Sequence, residues 1–293
     1  MSAVPTPELQ AKPAISRGRS IGAILIDAGR LSAEDAEKIL RLQKEHGMRF
    51  GDAAQQLKLL TEDDIRYALA RQFDYPYLPA GDQSLSQELV AAYRPFTEPV
   101  ERLRALRSQL MLRWFDGESE RKALAVVSPG NGDGRSFLAA NLAIVFSQLG
   151  ERTVLVDADL RKPRQHELFQ LANKGGLSDV LAGRAGPESV VRIPNLLGLS
   201  VLPAGATPPN PQELLGRGAF VELLEGLGKN FDTIIIDTPA TVNFADAHTV
   251  AARAGAALLV ARKNLTSAAE VQKLARNLQQ SGVEVVGSAL NVA

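Results

Sequence analysis

Hydrophobic positions in the first quarter of the chain recur at helical spacing and form an internal repeat. The segment Ile21–Gln43 aligns without a gap with Phe50–Gln72, at an offset of 29 residues. Each copy predicts a short helix, a turn and a second helix, with Ser32 or Thr61 as the N-cap and an acidic residue three positions later. The apolar residues expected on the packed faces are Leu31, Ala36, Ile39 and Leu40 in the first copy, and Leu60, Ile65, Ala68 and Leu69 in the second. The pattern predicts a small all-helical domain over residues 15–80, preceded by a disordered tail at 1–14.

From Pro99 onward the pattern changes to short β-branched runs that alternate with helical segments. This alternation predicts an α/β fold with a mostly parallel sheet flanked by helices, over residues 99–293. The Pro- and Gly-containing segment 81–98 is expected to be a linker. The predicted strands are KALAVVS (122–128), TVLVDAD (153–159), LSVLP (199–203), DTIIID (232–237), AALLVAR (256–262) and VEVVGSALN (283–291). In such sheets ligands bind at the carboxyl ends of the strands.

Composition narrows the function classes. Thirty-three basic and 33 acidic residues leave no net charge, which argues against nucleic-acid binding. The chain has no cysteine, which is typical of cytosolic proteins, and its three histidines show no metal-ligand spacing. The longest apolar run, AGAALLVA, is far shorter than the ~20 residues that span a bilayer, and the first residues lack the apolar core of a signal peptide. We therefore expect a cytoplasmic protein without a transmembrane segment.

The stretch SPGNGDGRSF (Ser128–Phe137) connects a predicted strand to a predicted helix. Its glycines allow backbone N–H groups to surround phosphate oxygens, and the helix N-terminus adds a favourable dipole. Ser136 is placed to ligate magnesium. The alternative is a glycine-rich turn without a ligand. The candidate nucleotide-binding residues are Gly130, Asn131, Gly132, Asp133, Gly134, Arg135, Ser136 and Phe137.

Two further motifs end predicted strands in carboxylates. In VLVDADLR, Asp157 and Asp159 lie two residues apart, so both can project toward the same loops. Two carboxylates near a triphosphate can hold Mg²⁺ and orient or deprotonate an attacking hydroxyl. Their alternative roles are helix capping and pairing with Arg161. Asp237 ends the run IIID and is a further candidate ligand for the metal.

Together the three segments SPGNGDGRS, VLVDADLR and IIIDTPA resemble the Walker A, A′ and B motifs of the bacterial tyrosine kinases of capsule and exopolysaccharide synthesis. GLSDVLAG (176–183) and LPAGATPPNPQELL (202–215) strengthen the resemblance, which covers Pro99–Ala293. It implies a P-loop NTPase-type fold, with ATP and Mg²⁺ as cofactors. The roles it implies are catalysis for Asp157, Asp159 and Arg135, metal binding for Ser136, Asp157 and Asp237, and adenine contact for Asn291.

The same resemblance implies partners. EPVERLRALRSQL places Glu101, Arg104 and Arg107 at three-residue spacing, similar to the ring-forming motif of the family, so a homo-oligomer is expected. The alternative is an ordinary solvated charged face. The split members of the family work with a separate membrane protein. The expected partner is therefore the cytoplasmic segment of a polysaccharide co-polymerase, at the inner face of the membrane.

Two departures from the family affect the activity expected. Arg135 stands where the family has lysine, and the two side chains differ in shape and donor geometry. All four tyrosines (Tyr67, Tyr75, Tyr77 and Tyr93) precede the nucleotide domain, whereas the family carries a C-terminal tyrosine cluster. The leading hypothesis is a kinase that transfers the ATP γ-phosphate to a protein tyrosine in trans. The alternative is a catalytically weak or inactive nucleotide-dependent switch. A partitioning ATPase ranks lowest, because Gly130 stands where that class has an extra lysine.

The helical repeat resembles the N-terminal domain of type II secretion and pilus assembly ATPases, some of which bind cyclic di-GMP. Arg49, Phe50, Gly51 and Gln72 match that motif in the second copy, whereas Ser20 replaces the arginine in the first. The resemblance implies a cyclic di-GMP site in this domain. The alternative is a docking domain whose repeated residues only pack.

Overall fold

The computed structural model describes residues 19–72, 77–79, 81–115, 121–242 and 244–292. The chain divides into two compact units, Met1–Pro76 and Tyr77–Ala293. The predicted disordered tail lies outside the described residues. None of the helices in these described ranges is both long and apolar enough to cross a membrane.

Unit 1 contains the predicted pair of helical hairpins. Its helices are α1 (Ile21–Asp27), α2 (Ala33–His46), α3 (Phe50–Gln56) and α4 (Glu62–Gln72). The predicted caps are present, because Ser32 Oγ accepts a hydrogen bond from the backbone N–H of Asp35 at 3.0 Å. At the second cap, Thr61 Oγ1 accepts from the N–H of Asp64 at 3.2 Å, and Asp64 Oδ2 accepts from the N–H of Thr61 at 3.0 Å. This reciprocal pair is a complete capping box.

The core of unit 1 combines five of the predicted apolar positions with unpredicted residues of α1 and α3. Leu31, Ala36, Ile39, Leu60 and Ala68 are buried, and Ile65 packs against them. Two predictions are wrong: Leu40 and Leu69, which are equivalent in the repeat, are 54% and 37% exposed. Leu40 follows Ile39 and Leu69 follows Ala68, and one residue turns a helix by about 100°, which carries each leucine away from the core that contains Ile39 and Ala68.

Unit 2 is built on a seven-stranded sheet. Its strands are β1 (Ala123–Val127), β2 (Thr153–Asp157), β3 (Val191–Arg192), β4 (Leu199–Leu202), β5 (Thr233–Asp237), β6 (Ala256–Arg262) and β7 (Glu284–Asn291). The spatial order is β3-β4-β2-β5-β1-β6-β7, and every pair is parallel except β3–β4. The predicted mostly parallel sheet is confirmed; the short β3 was not predicted.

Helices cover both faces of this sheet. They are α5 (Val90–Tyr93), α6 (Glu98–Arg113), α7 (Arg135–Gln148), α8 (Gln165–Leu168), α9 (Leu177–Leu181), α10 (Pro211–Gly216), α11 (Gly218–Asn230), α12 (Asp246–Ala254) and α13 (Ala268–Gln280). Alternate strand residues enter opposite cores: Leu124 belongs to the core that contains Phe146 of α7, and Ala125 belongs to the core that contains Phe220 of α11. Both faces of the central strands are therefore buried, which explains their continuous apolar runs.

The segment 81–98 is packed differently from the linker predicted there. Leu85 and Leu89 are buried in the core of unit 2, and the N–H of Ala91 donates to Asn141 Oδ1 on α7 at 2.9 Å. The break between the units falls earlier, after Pro76. Proline and glycine in this segment make turns, while its leucines bury apolar surface beside α7.

Candidate nucleotide-binding site

The three predicted motifs meet at the carboxyl ends of adjacent strands. β5 lies between β1 and β2 in the sheet, and Asp157 and Asp237 are register partners on β2 and β5. The loop that follows β1 leads directly into α7. Because the strands are parallel, the glycine loop and both aspartates converge on one edge of the sheet.

The glycine loop presents an uninterrupted series of backbone donors. Gly132 and Gly134 adopt left-handed conformations with φ of 79° and 98°, which side-chain-bearing residues rarely adopt. Within the described part of the chain, the N–H groups from Asn131 to Phe137 make no hydrogen bond. Those at the start of α7 also lie at the positive end of the helix dipole. The loop therefore provides an anion-binding concavity.

Two predicted binding residues instead contact each other. Gly130 donates its N–H to Asp133 Oδ2 at 2.8 Å, and the Asp133 side chain is 1% exposed. A carboxylate beside phosphate is repelled, so the side chain of Asp133 shapes the loop, and any phosphate contact of this residue is through its backbone.

Residues from the other end of the unit hold the loop in place. Thr266 Oγ1 donates to Asp133 Oδ1 at 2.7 Å, and Arg262 Nη1 donates to Gly132 O at 3.3 Å. Asn291, the predicted adenine contact, donates from Nδ2 to Asp133 O at 3.2 Å. A Cβ atom on Gly134 would lie 2.3 Å from Asn291 Nδ2. Sequence reasoning missed Thr266 and Arg262, because they are more than 100 residues from the loop and belong to no motif.

Arg135 lies beneath the loop rather than on its surface. Its side chain is 7% exposed, and Nε donates to Thr238 O at 2.8 Å. Nη1 donates to Gly130 O at 2.6 Å and to the hydroxyl of Ser128. Nη2 makes no hydrogen bond within the described residues. The guanidinium thus connects the loop to Thr238, directly after β5, and its Nη2 remains available to a ligand.

The register pair of aspartates is completely buried. Asp157 accepts hydrogen bonds from the N–H groups of Gln165, Arg164 and Asp159 at 2.9, 3.1 and 3.2 Å. Burial, and then the charge of Asp237, raise the pKa of Asp157 well above its usual value.

Burial acts on Asp237 in the same direction. Burial raises the pKa of Asp237 to about 6, although the hydrogen bond from Gln165, the nearby Ser136 hydroxyl and the charge of Arg135 act in the opposite direction. Its Oδ1 atom is buried and has no hydrogen-bond partner within the described residues.

Asp159 borders a cavity of about 260 Å³ next to the loop. Its Oδ1 accepts from the N–H groups of Lys162 and Arg161 at 2.9 and 3.2 Å in the bend that precedes α8, so Asp159 stabilises a turn and caps no helix. The pairing alternative is wrong, because the Arg161 side chain pairs with buried Asp246 at 2.6 Å and lies over the ring of Phe244 at 3.6 Å. The cavity is lined by Asn131, Asp159, Arg161, Lys162, Thr207, Pro208, Pro209, Pro211, Pro239, Ala240 and Phe244.

Comparison with known proteins assigns the family. None of the protein-family models matches the chain. A putative tyrosine-protein kinase, CapB, of Staphylococcus aureus is 34% identical over 198 residues, which cover 68% of this chain and 86% of that protein. The chain belongs to the bacterial tyrosine-protein kinase family. The tyrosine-protein kinase etk of Escherichia coli K12 is 36% identical over 202 residues, 69% of this chain and 28% of etk. The chain likewise spans 29% of the length of a putative tyrosine-protein kinase in the cps region of Klebsiella pneumoniae.

Solved structures agree with the family assignment. The kinase domain of E. coli ETK has a TM-score of 0.67 and 32% identity, covering 74% of this chain and 89% of that one. The chimerical protein CapA2B2 has a TM-score of 0.65 and 32% identity, covering 79% and 98%. The cell division ATPase MinD of Pyrococcus furiosus, at a TM-score of 0.52 and 26% identity, covers 58% and 71%. This chain therefore has a P-loop NTPase-type fold.

The residues of this tyrosine-kinase family member fit the Mg²⁺ ion that the family implies. Ser136, Asp157 and Asp237 provide oxygen ligands, which Mg²⁺ prefers, and Asp237 Oδ1 is an unpaired buried acceptor. In the described part of the chain no cluster of three or more His, Asp or Glu side chains could hold a metal alone.

Proposed function

We propose that this protein binds Mg-ATP at the loop Asn131–Phe137 and transfers the γ-phosphoryl group to a protein tyrosine in trans. The observation that carries the proposal is the convergence of unpaired loop N–H groups on the buried register pair Asp157 and Asp237. Donors for phosphate and carboxylates for a metal at one sheet edge are the parts that phosphoryl transfer requires. Membership of the tyrosine-kinase family supports the choice of acceptor.

Each side chain then has a role in the transfer. The loop N–H groups would bind phosphate oxygens, and Ser136, Asp157 and Asp237 would hold Mg²⁺, which would neutralise charge on the phosphates. We assign the base to Asp159, because it borders the cavity next to the loop. The tyrosine oxygen forms a bond to the γ-phosphorus as the bond to the ADP oxygen breaks, and the phenolic proton passes to the Asp159 carboxylate.

Arg135 is compatible with this chemistry. A lysine has one nitrogen, whereas the guanidinium uses Nε and Nη1 on the protein and retains Nη2. Arg135 thus supplies positive charge beneath the phosphates and also fixes the loop to Thr238.

The same contacts favour one alternative, a nucleotide-dependent switch without transfer. If the guanidinium remains on Gly130 O and Thr238 O throughout, its charge stabilises bound nucleotide but does not follow the moving phosphoryl group. The two functions differ in turnover and not in binding.

Mg²⁺-dependent ATP turnover separates them. We expect turnover by the wild type, loss of at least 100-fold in Asp157→Ala and Asp159→Asn, and retained turnover in Arg135→Lys. Tight Mg-ATP binding without turnover in the wild type, with turnover gained in Arg135→Lys, identifies the switch. Asp232→Asn, a change at a surface ion pair with Arg152, is the control.

Assembly and location extend the proposal. We propose a homo-oligomer formed through Glu101, Arg104 and Arg107 of α6, and a partner in the cytoplasmic segment of a membrane polysaccharide co-polymerase at the inner membrane face. Within the protomer Arg104 pairs with Glu101, and Arg107 Nη1 donates to Val145 O at 2.6 Å. We therefore choose Arg104 for reversal of the side-chain charge. Light scattering of Arg104→Glu should report a smaller species than that of the wild type.

Cyclic di-GMP binding by unit 1 remains a prediction from the resemblance of its repeat. Arg19, beside the first copy, pairs with Asp27 at 3.0 Å. Calorimetric titration of cyclic di-GMP into the whole chain tests it, and Arg49→Ala should abolish the heat if the site exists.

A further inference from the structure

Gln165, at the start of α8, contacts every protein part of the proposed metal site. Its Nε2 donates to Asp237 Oδ2 at 2.7 Å and to Ser136 O at 3.2 Å. Its backbone N–H donates to Asp157 Oδ2 at 2.9 Å. The residue has no solvent-exposed surface. One glutamine thus connects both carboxylates with the first turn of α7, and it lies outside the three motifs.

The orientation of the Gln165 amide is determined by its neighbours. A carboxylate and a backbone carbonyl only accept hydrogen bonds, so the nitrogen must face Asp237 and Ser136. The carbonyl oxygen, Oε1, then points elsewhere, where it is buried without a partner among the described residues. Asp237 Oδ1 is likewise buried without a hydrogen-bond partner among the described residues. Two unpaired buried acceptors in one site cost free energy, which a ligand with positive charge and donors would recover.

We propose that Gln165 is a positioning residue for the Mg²⁺ that accompanies the nucleotide, an inference that rests on the proposed function. Its Nε2 fixes Asp237 through Oδ2 and leaves Oδ1 available to the ion. Its buried Oε1, which has no partner among the described residues, would accept a hydrogen bond from water held by the ion, because Mg²⁺ retains several waters. Groups that hold a metal-ligating carboxylate typically contribute 10- to 100-fold to metal affinity.

A purely structural role makes a different prediction. If Gln165 only fills space between α8 and β5, its removal lowers ADP binding equally with and without magnesium. If it positions Asp237 for the ion, the loss appears only when magnesium is present. The magnesium dependence of ADP affinity therefore distinguishes the two roles, independently of phosphoryl transfer.

The test is calorimetric ADP binding by the whole chain in Mg²⁺ and in EDTA. Gln165→Met keeps the length of the side chain and removes its donors, and Gln165→Asn keeps the amide but is one methylene too short to reach Asp237. We expect both variants to lose about tenfold in Mg-ADP affinity and less than twofold in EDTA. The matched control is Asn141→Leu, another fully buried amide, which donates to Glu88 O and Phe137 O. It should alter stability without altering the ratio of the two affinities.

The possible outcomes are distinct. Mg-ADP affinity within twofold of the wild type in both Gln165 variants overturns the inference, as does an equal loss in Mg²⁺ and EDTA. Two variants and a binding measurement in two solvents separate a folding defect from the proposed effect, since an unfolded variant binds in neither. If the wild type itself does not bind Mg-ADP, the proposed function fails, and this inference fails with it.

Discussion

Asp157 and Asp237 are direct register partners on neighbouring parallel strands, and both carboxylates are completely buried. Adjacent strands lie ~4.8 Å apart, so the two groups share one low-dielectric region. Burial raises the pKa of both side chains, and the charge of Asp237 raises that of Asp157 further. The fold therefore holds two carboxylates where they are unfavourable without a cation, which is how a metal site differs from a packed core.

The raised pKa of Asp237 predicts that its charge destabilises the protein at neutral pH. An unfolded aspartate has a pKa near 3.8 and the folded group about 6, so the folded state binds more protons between these values. The cost is absent below pH 4, grows as pH rises, and is complete above about pH 6. In magnesium-free buffer, Asp237→Asn should raise the free energy of unfolding by on the order of 2 kcal/mol at pH 7.5 and by less at pH 5.

Urea denaturation at the two pH values measures this effect. Asp232→Asn provides a control of opposite sign, because a hydrogen bond from Arg152 lowers the pKa of Asp232. That variant should lose stability at pH 7.5. An Asp237→Asn protein less stable than the wild type at pH 7.5 would contradict the account.

The close approach of Gly134 to Asn291 predicts that a side chain at position 134 displaces the Asn291 amide from Asp133 O. A Cβ on Gly134 would meet Asn291 Nδ2 at 2.3 Å, whereas one on Gly150, with a similar φ, has no atom within 4 Å. Both Gly134→Ala and Gly150→Ala should lose on the order of 1 kcal/mol of stability from the left-handed backbone. Only Gly134→Ala should also lose Mg-ADP binding, by more than tenfold in calorimetry. Equal binding by the two variants would show that the loop contact is not needed.

Thr266 is predicted to act on nucleotide binding through Asp133. Its hydroxyl donates to Asp133 Oδ1 at 2.7 Å and accepts from the N–H of Arg262 at 2.7 Å. Thr266→Val removes both contacts at similar volume, leaves the loop less ordered, and should weaken Mg-ADP binding about tenfold. Thr249→Val, at an exposed hydroxyl that contacts only its own helix, is the control and should bind as the wild type does. Unchanged binding in Thr266→Val would mean that the loop keeps its shape without this anchor.

Arg135 is predicted to combine a structural and a binding role. Arg135→Lys should keep the charge, bind Mg-ADP within about threefold of the wild type, and lose on the order of 1 kcal/mol of stability, because one ammonium cannot replace the fork of contacts. Arg135→Met should lose stability to a similar degree and nucleotide binding by more than tenfold. Calorimetry and thermal unfolding provide the two readouts. If Arg135→Met binds Mg-ADP as tightly as the wild type does, the guanidinium charge does not contribute to nucleotide binding.

How much of this could be predicted from the sequence depended on the range of the interactions. Local signals predicted the strands, the capping box at Thr61 and the three motifs. Each of these features depends on residues that lie close together in the sequence. The contacts of Gln165, Thr266 and Arg262 carry none, because each connects positions far apart in the chain. The exposed Leu40 shows a second limit, in that a helical pattern gives the face only to within one residue. In segment 81–98, proline and glycine indicated a linker, although Leu85 and Leu89 of this segment are buried.

Transfer of radiolabelled γ-phosphate from ATP to tyrosine in a Glu/Tyr copolymer tests the central claim most directly. We predict Mg²⁺-dependent labelling by the wild type that Asp159→Asn reduces at least 100-fold while its Mg-ADP affinity stays within threefold. Labelling at the same rate by Asp159→Asn, or none by a wild type that binds Mg-ATP tightly, would contradict it.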